Sequence, residues 1–195
     1  YKITVGKPKT MDAYVAALSR SIDRASRDTL EVRDKFSEVQ AYQRPRWSLS
    51  AFVKMGEAYE GLSRAILNAP FVMPADLARQ LRKVTFEQRE DIRIQVEDRI
   101  RMVLDERVRP LECKAVAHFA LAVRLGREAN LSTDAVAQAS DRLQAYGSER
   151  IGECIEEVRK EDASFAAYEQ GEFKRAPAGL MSEPSPGMTY PSFEE

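Results

Sequence analysis

The chain has 195 residues, 44% hydrophobic and 31% charged, a composition suited to a globular protein of one domain or two small ones with enough apolar side chains for a core. Its 30 Lys and Arg nearly cancel 31 Asp and Glu, so no global basic field draws in nucleic acid or an anionic membrane. One His and two Cys are too few for a zinc cage, which takes about four ligands, and a His-based triad would have to use the single imidazole.

Tyr1 opens the chain in place of Met, so an upstream segment is expected, and any targeting signal with it. Apolar residues then recur at Tyr14, Leu18, Ile22, Ala25, Thr29, Val32, Phe36 and Val39. Steps of three and four lay one stripe along a long helix, with Thr10 as its N-cap and Asp12 in the first turn. Arg44-Pro45 ends it, because Pro45 disfavours helical backbone before itself while suiting the first turn of the next helix. That second helix carries Phe52, Met55, Tyr59, Leu62 and Ile66 and stops before Pro70 and Pro74.

From Pro74 the pattern resumes through Leu77, Leu81, Val84, Ile92, Val96, Ile100 and Val103, which predicts one helix of roughly thirty residues. Pro110 predicts a break or kink near Arg107 to Arg109, because proline lacks the N–H and clashes with the preceding turn. A central Ala-rich helix follows, apolar on several sides, and Asn130 closes it. Ser132 or Thr133 then caps a last long helix to about Lys160. No stretch alternates with period two, so the expected fold is all-α: an antiparallel array of helical hairpins with five principal helices.

Residues 1–170 read as the helical domain and 171–195 as an irregular tail with Pro177, Pro184, Pro186 and Pro191. Charge separates the two ends: residues 1–50 hold ten bases and six acids, residues 161–195 two bases and seven acids. Within the tail, Tyr190, Pro191 and Phe193 set two aromatic anchors on a backbone that proline presets as extended, which makes them the candidate partner-binding residues.

No run of about eighteen apolar residues occurs; the richest, 113–125, is interrupted by Lys114, His118 and Arg124, so no transmembrane segment is expected. Cys113 and Cys154 suit either two reduced thiols in helical cores or one bridge in an oxidising compartment, and the unbridged state is the expectation. His118 reads as a packed side chain, with no acid four residues away on its helix. Between Arg79 and Arg109, nine bases are interleaved with seven acids, the pattern of a salt-bridged surface and a thin footprint for phosphate contacts. The carboxylates there, among them Glu87, Glu90, Asp91, Glu97 and Asp98, lack the Glu-x-x-His of a di-metal bundle.

Phe52, Met55, Gly56 and Tyr59 reproduce the W-x2-L-G-x2-Y spacing of a tetratricopeptide helix A, and Ala115, Phe119 and Ala122 that of a helix B, though no 34-residue period runs through the chain. If the two helices pack together, Trp47, Phe52, Met55 and Tyr59 are buried and Tyr59 faces the helix of Phe119. Between Phe36 and Tyr146 a longer pattern resembles the carboxy-terminal region of large deltaproteobacterial tetratricopeptide proteins, some of them in the gliding-motility machinery of myxobacteria. Tyr42, Pro45, Trp47, Lys54, Gly56, Tyr59 and Glu60 carry it first. Pro70, Pro74, Pro110, Leu111, Lys114, Ala115, Phe119 and Ala122 follow. The resemblance implies a helical, non-catalytic scaffold or adaptor that binds other proteins of a larger assembly, in the periplasm or at the outer membrane. No cofactor, metal or nucleic acid is expected. The alternative is a helical regulator that binds DNA or a sigma-like factor.

Overall fold

The computed structural model describes residues 1–42 and 44–169, and among them every regular element is helical. There are seven α-helices: α1 (Met11–Glu38), α2 (Pro45–Leu67), α3 (Ala75–Leu81), α4 (Phe86–Glu128), α5 (Asp134–Leu143), α6 (Ser148–Glu161) and α7 (Ala163–Glu169). A single 3-10 turn, Val39–Tyr42, joins α1 to the α2 approach. The seven differ from the five expected because two expected helices are each divided, two are fused into one across Pro110, and α7 lies beyond the expected last end near Lys160.

The first division is at residues 82–85. Thr85 accepts a hydrogen bond from the Gln88 N–H while the Gln88 side chain accepts one from the Thr85 N–H, a reciprocal capping box that starts α4 afresh. The second is at residues 144–147, where Gly147 caps α6, so that α5 and α6 each lie along α4 instead of running past it. At Pro110 the expected break is absent: α4 runs unbroken for 43 residues, about 64 Å at 1.5 Å per residue. Buried Leu104, Val108 and Cys113 anchor the helix on both sides of that proline, and this packing offsets the one hydrogen bond it removes.

Other ends follow local chemistry. Thr10 caps α1 by accepting from Ala13, Pro45 is the first residue of α2, and Thr133 caps α5 by accepting from Val136. Beyond α4, Asn130 adopts φ 52°, and the Asn130 and Leu131 N–H groups bond to the Arg127 and Gly126 carbonyls, the paired bonds of a Schellman end.

Two apolar clusters share α2 and α4. One joins Tyr14, Leu18, Ile22 and Ala25 of α1 to Leu62, Ile66, Leu104 and Val108. The other joins Phe52, Val53, Met55 and Tyr59 to Val116, Phe119, Leu121 and Ala122, and to Ala139, Cys154, Val158 and Phe165 of the last three helices. The α2–α4 pair is antiparallel: Gly56 lies against Phe119, whereas Leu67 and Leu104 line one cleft toward the other end. Trp47, expected in the core, is 49% exposed and packs edge-on to Tyr42, because it falls in the first turn of α2, outside the cover of α4.

Cys113 and Cys154 form a disulfide, Cα to Cα 4.5 Å, which corrects the expectation of two free thiols. Its physical reason is tertiary: the bend at residues 144–147 brings α6 back along α4, so positions 41 apart in sequence meet.

At Gly56 an added Cβ would stand 2.5 Å from Cε1 of Phe119, closer than side-chain carbons approach. Glycine inside a helix costs about 1 kcal/mol relative to alanine, but displacing a ring in a filled core costs about 1–3 kcal/mol. Gly56→Ala should therefore lower the melting temperature and Gly56→Leu should lower it further. Thermal melts in which both raised it would remove the close packing of α2 on α4.

Candidate interaction surface

Along α1, Met11, Tyr14, Val15, Leu18 and Ile22 follow one another at steps of three, one, three and four, an apolar arc broader than a single neighbouring helix needs. Tyr14, Leu18 and Ile22 turn to the core and are buried, leaving Val15 half exposed. On α4, Leu104 is buried likewise, while Val103 is 53% exposed. Both helices rest on α2, and between them runs an open groove of about 320 Å³, lined by Met11 to Ile22 on one side and Val96 to Arg107 on the other. Arg99 and Arg107 are the charged residues of that lining, and neither forms an ion pair among the described residues.

Farther along, the trough between α1 and α4 is filled. Phe165 of α7 is buried against His118, with ring centroids 5.5 Å apart, and Tyr168 meets Phe52 edge-on at 5.4 Å. Asp162, at the start of α7, stands 4.0 Å from the Arg33 guanidinium of α1. Glu169 closes the far end as acceptor from Arg159 at 2.6 Å and Arg124 at 3.4 Å, and the Arg159 hydrogen bond holds its carboxyl below the usual range. The groove is thus the stretch of the trough that the described helices leave uncovered.

The other candidate is the buried polar cluster around His118. Its Nδ1 lies 2.7 Å from the Lys114 carbonyl, which can only accept, so Nδ1 carries the proton. Tyr59 stacks obliquely at 5.6 Å, and its hydroxyl is buried beside the Arg33 guanidinium. Burial raises the Tyr59 pKa, opposed by the positive charge of Arg33. Phe165 covers the imidazole, so a substrate would have to displace α7 to reach it; the cluster is structural, and His118 is the packed residue its sequence setting suggested.

Burial pushes the His118 pKa below the ordinary imidazole value of 6.5, chiefly by desolvation, opposed first by the hydrogen bond to the Lys114 carbonyl and then by the charge of Asp162. The unfolded chain therefore takes up this proton first, and stability falls as pH drops from 6.5 toward the depressed folded value. His118 is the chain's one histidine. Melting curves should show a decline across that window that His118→Gln abolishes, leaving only the loss at lower pH as carboxylates such as Glu169 protonate.

Among the described residues, no group of three or more His, Cys, Asp or Glu side chains is placed to hold a metal ion, and no helix is long and apolar enough to cross a membrane. The arginine-rich half of α4 carries ion pairs within the helix, Arg93 with Glu90 and Glu97, as the interleaving of charges implied. Tyr190, Pro191 and Phe193 lie outside the described residues. Sequence reasoning missed Val15 as a surface residue. The second apolar column Met11, Val15, Leu18, Ile22 was its signal. The chain matches no protein-family model, and no curated protein or solved structure is significantly similar to it.

Proposed function

We propose that this chain is a non-catalytic helical scaffold or adaptor, its helices stacked as tetratricopeptide-like hairpins, that binds other proteins of a larger assembly. The observation that carries the reading is the open apolar groove between α1 and α4. An unfilled trough beside two packed helices is the kind of surface that accepts a helix or an extended segment of another chain, and exposed Val15 and Val103 gain by being covered. The buried Cys113–Cys154 bridge supports an oxidising compartment, in line with the exported envelope or motility assembly that the family resemblance implies.

The test uses the full chain as bait in an extract of the native cell, beside a Val15→Asp/Val103→Asp variant whose changes fall on half-exposed positions. A discrete set of envelope proteins captured by the parent and lost from the variant supports the reading. Capture that is indifferent to the substitutions sinks it. A salt-dependent shift with random duplex DNA would instead favour the regulator reading, which draws on the exposed arginines of α4.

A further inference from the structure

We propose that the α1–α4 groove takes as its occupant the chain's own acidic segment around Tyr190, Pro191 and Phe193. This rests on the groove being a protein-docking surface. Three observations carry it: charge, shape and reach.

The groove's charged lining is Arg99 and Arg107, both without ion pairs among the described residues. Residues 176–195 hold three acids and no base, and two of those acids, Glu194 and Glu195, directly follow Phe193. An aromatic anchor next to carboxylates thus meets an apolar floor flanked by two guanidiniums two turns apart on α4, and Arg binds carboxylate in a fixed fork.

A volume of about 320 Å³, open along its length, suits a few side chains of an extended segment. Pro184, Pro186 and Pro191 lower the entropy lost when such a segment docks, and its apolar residues are too few and too interrupted to form a core of their own.

Reach is sufficient. Glu169 is fixed beside Arg124 of α4. From Arg124 back to Val103 is about 32 Å of helix. The 21 residues from Glu169 to Tyr190 span roughly 65 Å when extended as polyproline helix and about 25 Å as a flexible coil, which brackets that distance.

The test is photo-cross-linking in the full chain, with p-benzoylphenylalanine replacing Phe193 and an equal mixture of isotopically heavy and light protein, read by mass spectrometry. The expected links are within one molecule and fall on residues 11–22 or 96–107. Arg99→Glu/Arg107→Glu should reduce their yield on the order of fivefold, and Glu194→Lys/Glu195→Lys in the same chain should restore it, since two exposed pairs of this kind govern occupancy at that scale. Links joining heavy to light chains would mean a second copy in the groove. Those links, links on another face, or a yield indifferent to the charge exchange overturn the proposal. The two readings fail separately: partner capture that depends on Val15 and Val103 survives if the links fall elsewhere, while groove links with capture indifferent to those positions sink the docking function instead.

Discussion

Phe119→Ala should destabilise the chain by roughly 3–5 kcal/mol, the cost of a large aromatic removed from a core that cannot collapse around the space it leaves. Phe119 is fully buried, and its ring fills the place a side chain at Gly56 would otherwise take. Around it α2 and α4 are rigid helices held in register, so the cavity has no easy way to close. Urea denaturation should show a lower midpoint with an unchanged slope, the mark of lost stability in a chain whose unfolding still exposes the same surface. A midpoint within error of the parent would mean that Phe119 does not join the two helices.

Removing the Cys113–Cys154 bridge is expected to cost a comparable amount. It closes a loop spanning 41 positions, and the chain-entropy account puts the value of such a cross-link at about 2–4 kcal/mol, exerted mainly on the unfolded state. Cys113→Ala/Cys154→Ala should therefore unfold at lower denaturant than the oxidised parent. The parent reduced after unfolding should behave like the variant. Both cysteines are buried, so the native protein should resist reductants that act quickly on it once it is unfolded. Equal midpoints for the oxidised parent and the variant would show that the bridge adds no stability.

These effects converge on the helices that hold the trough between α1 and α4 in shape. Loss of Phe119 loosens α2 from α4, and loss of the bridge loosens α6 from α4. Either change should also weaken partner binding through the groove indirectly, so the groove itself is better tested at Val15 and Val103, which are half exposed and contribute little to the core.

Periodicity and caps were enough to read the helical character of the chain, the start of α1 at Thr10, the start of α2 at Pro45, the close of α4 near Asn130 and the burial of Phe52, Met55, Tyr59 and Phe119. These depend on neighbours within a turn or two, and a local signal decides them. The capping box at Thr85 and Gln88 is equally local: it divides the third expected helix where the apolar stripe alone runs on without a break.

Pro110, the disulfide, Trp47 and the groove were decided by tertiary structure. A proline's cost is local, but whether the helix continues depends on how firmly the residues on both sides are held, and Leu104, Val108 and Cys113 are held by other helices. Two cysteines far apart in sequence carry no sign that they meet until α6 folds back along α4. Trp47 is as apolar as its neighbours and lies half exposed because, among the described residues, it meets Tyr42 edge-on and belongs to neither apolar cluster. The groove is the same kind of fact. Hydrophobic spacing marks every face that could be buried, and only the arrangement of the described helices reveals that α7 covers one end of the trough while those helices leave Val15 and Val103 uncovered at the other.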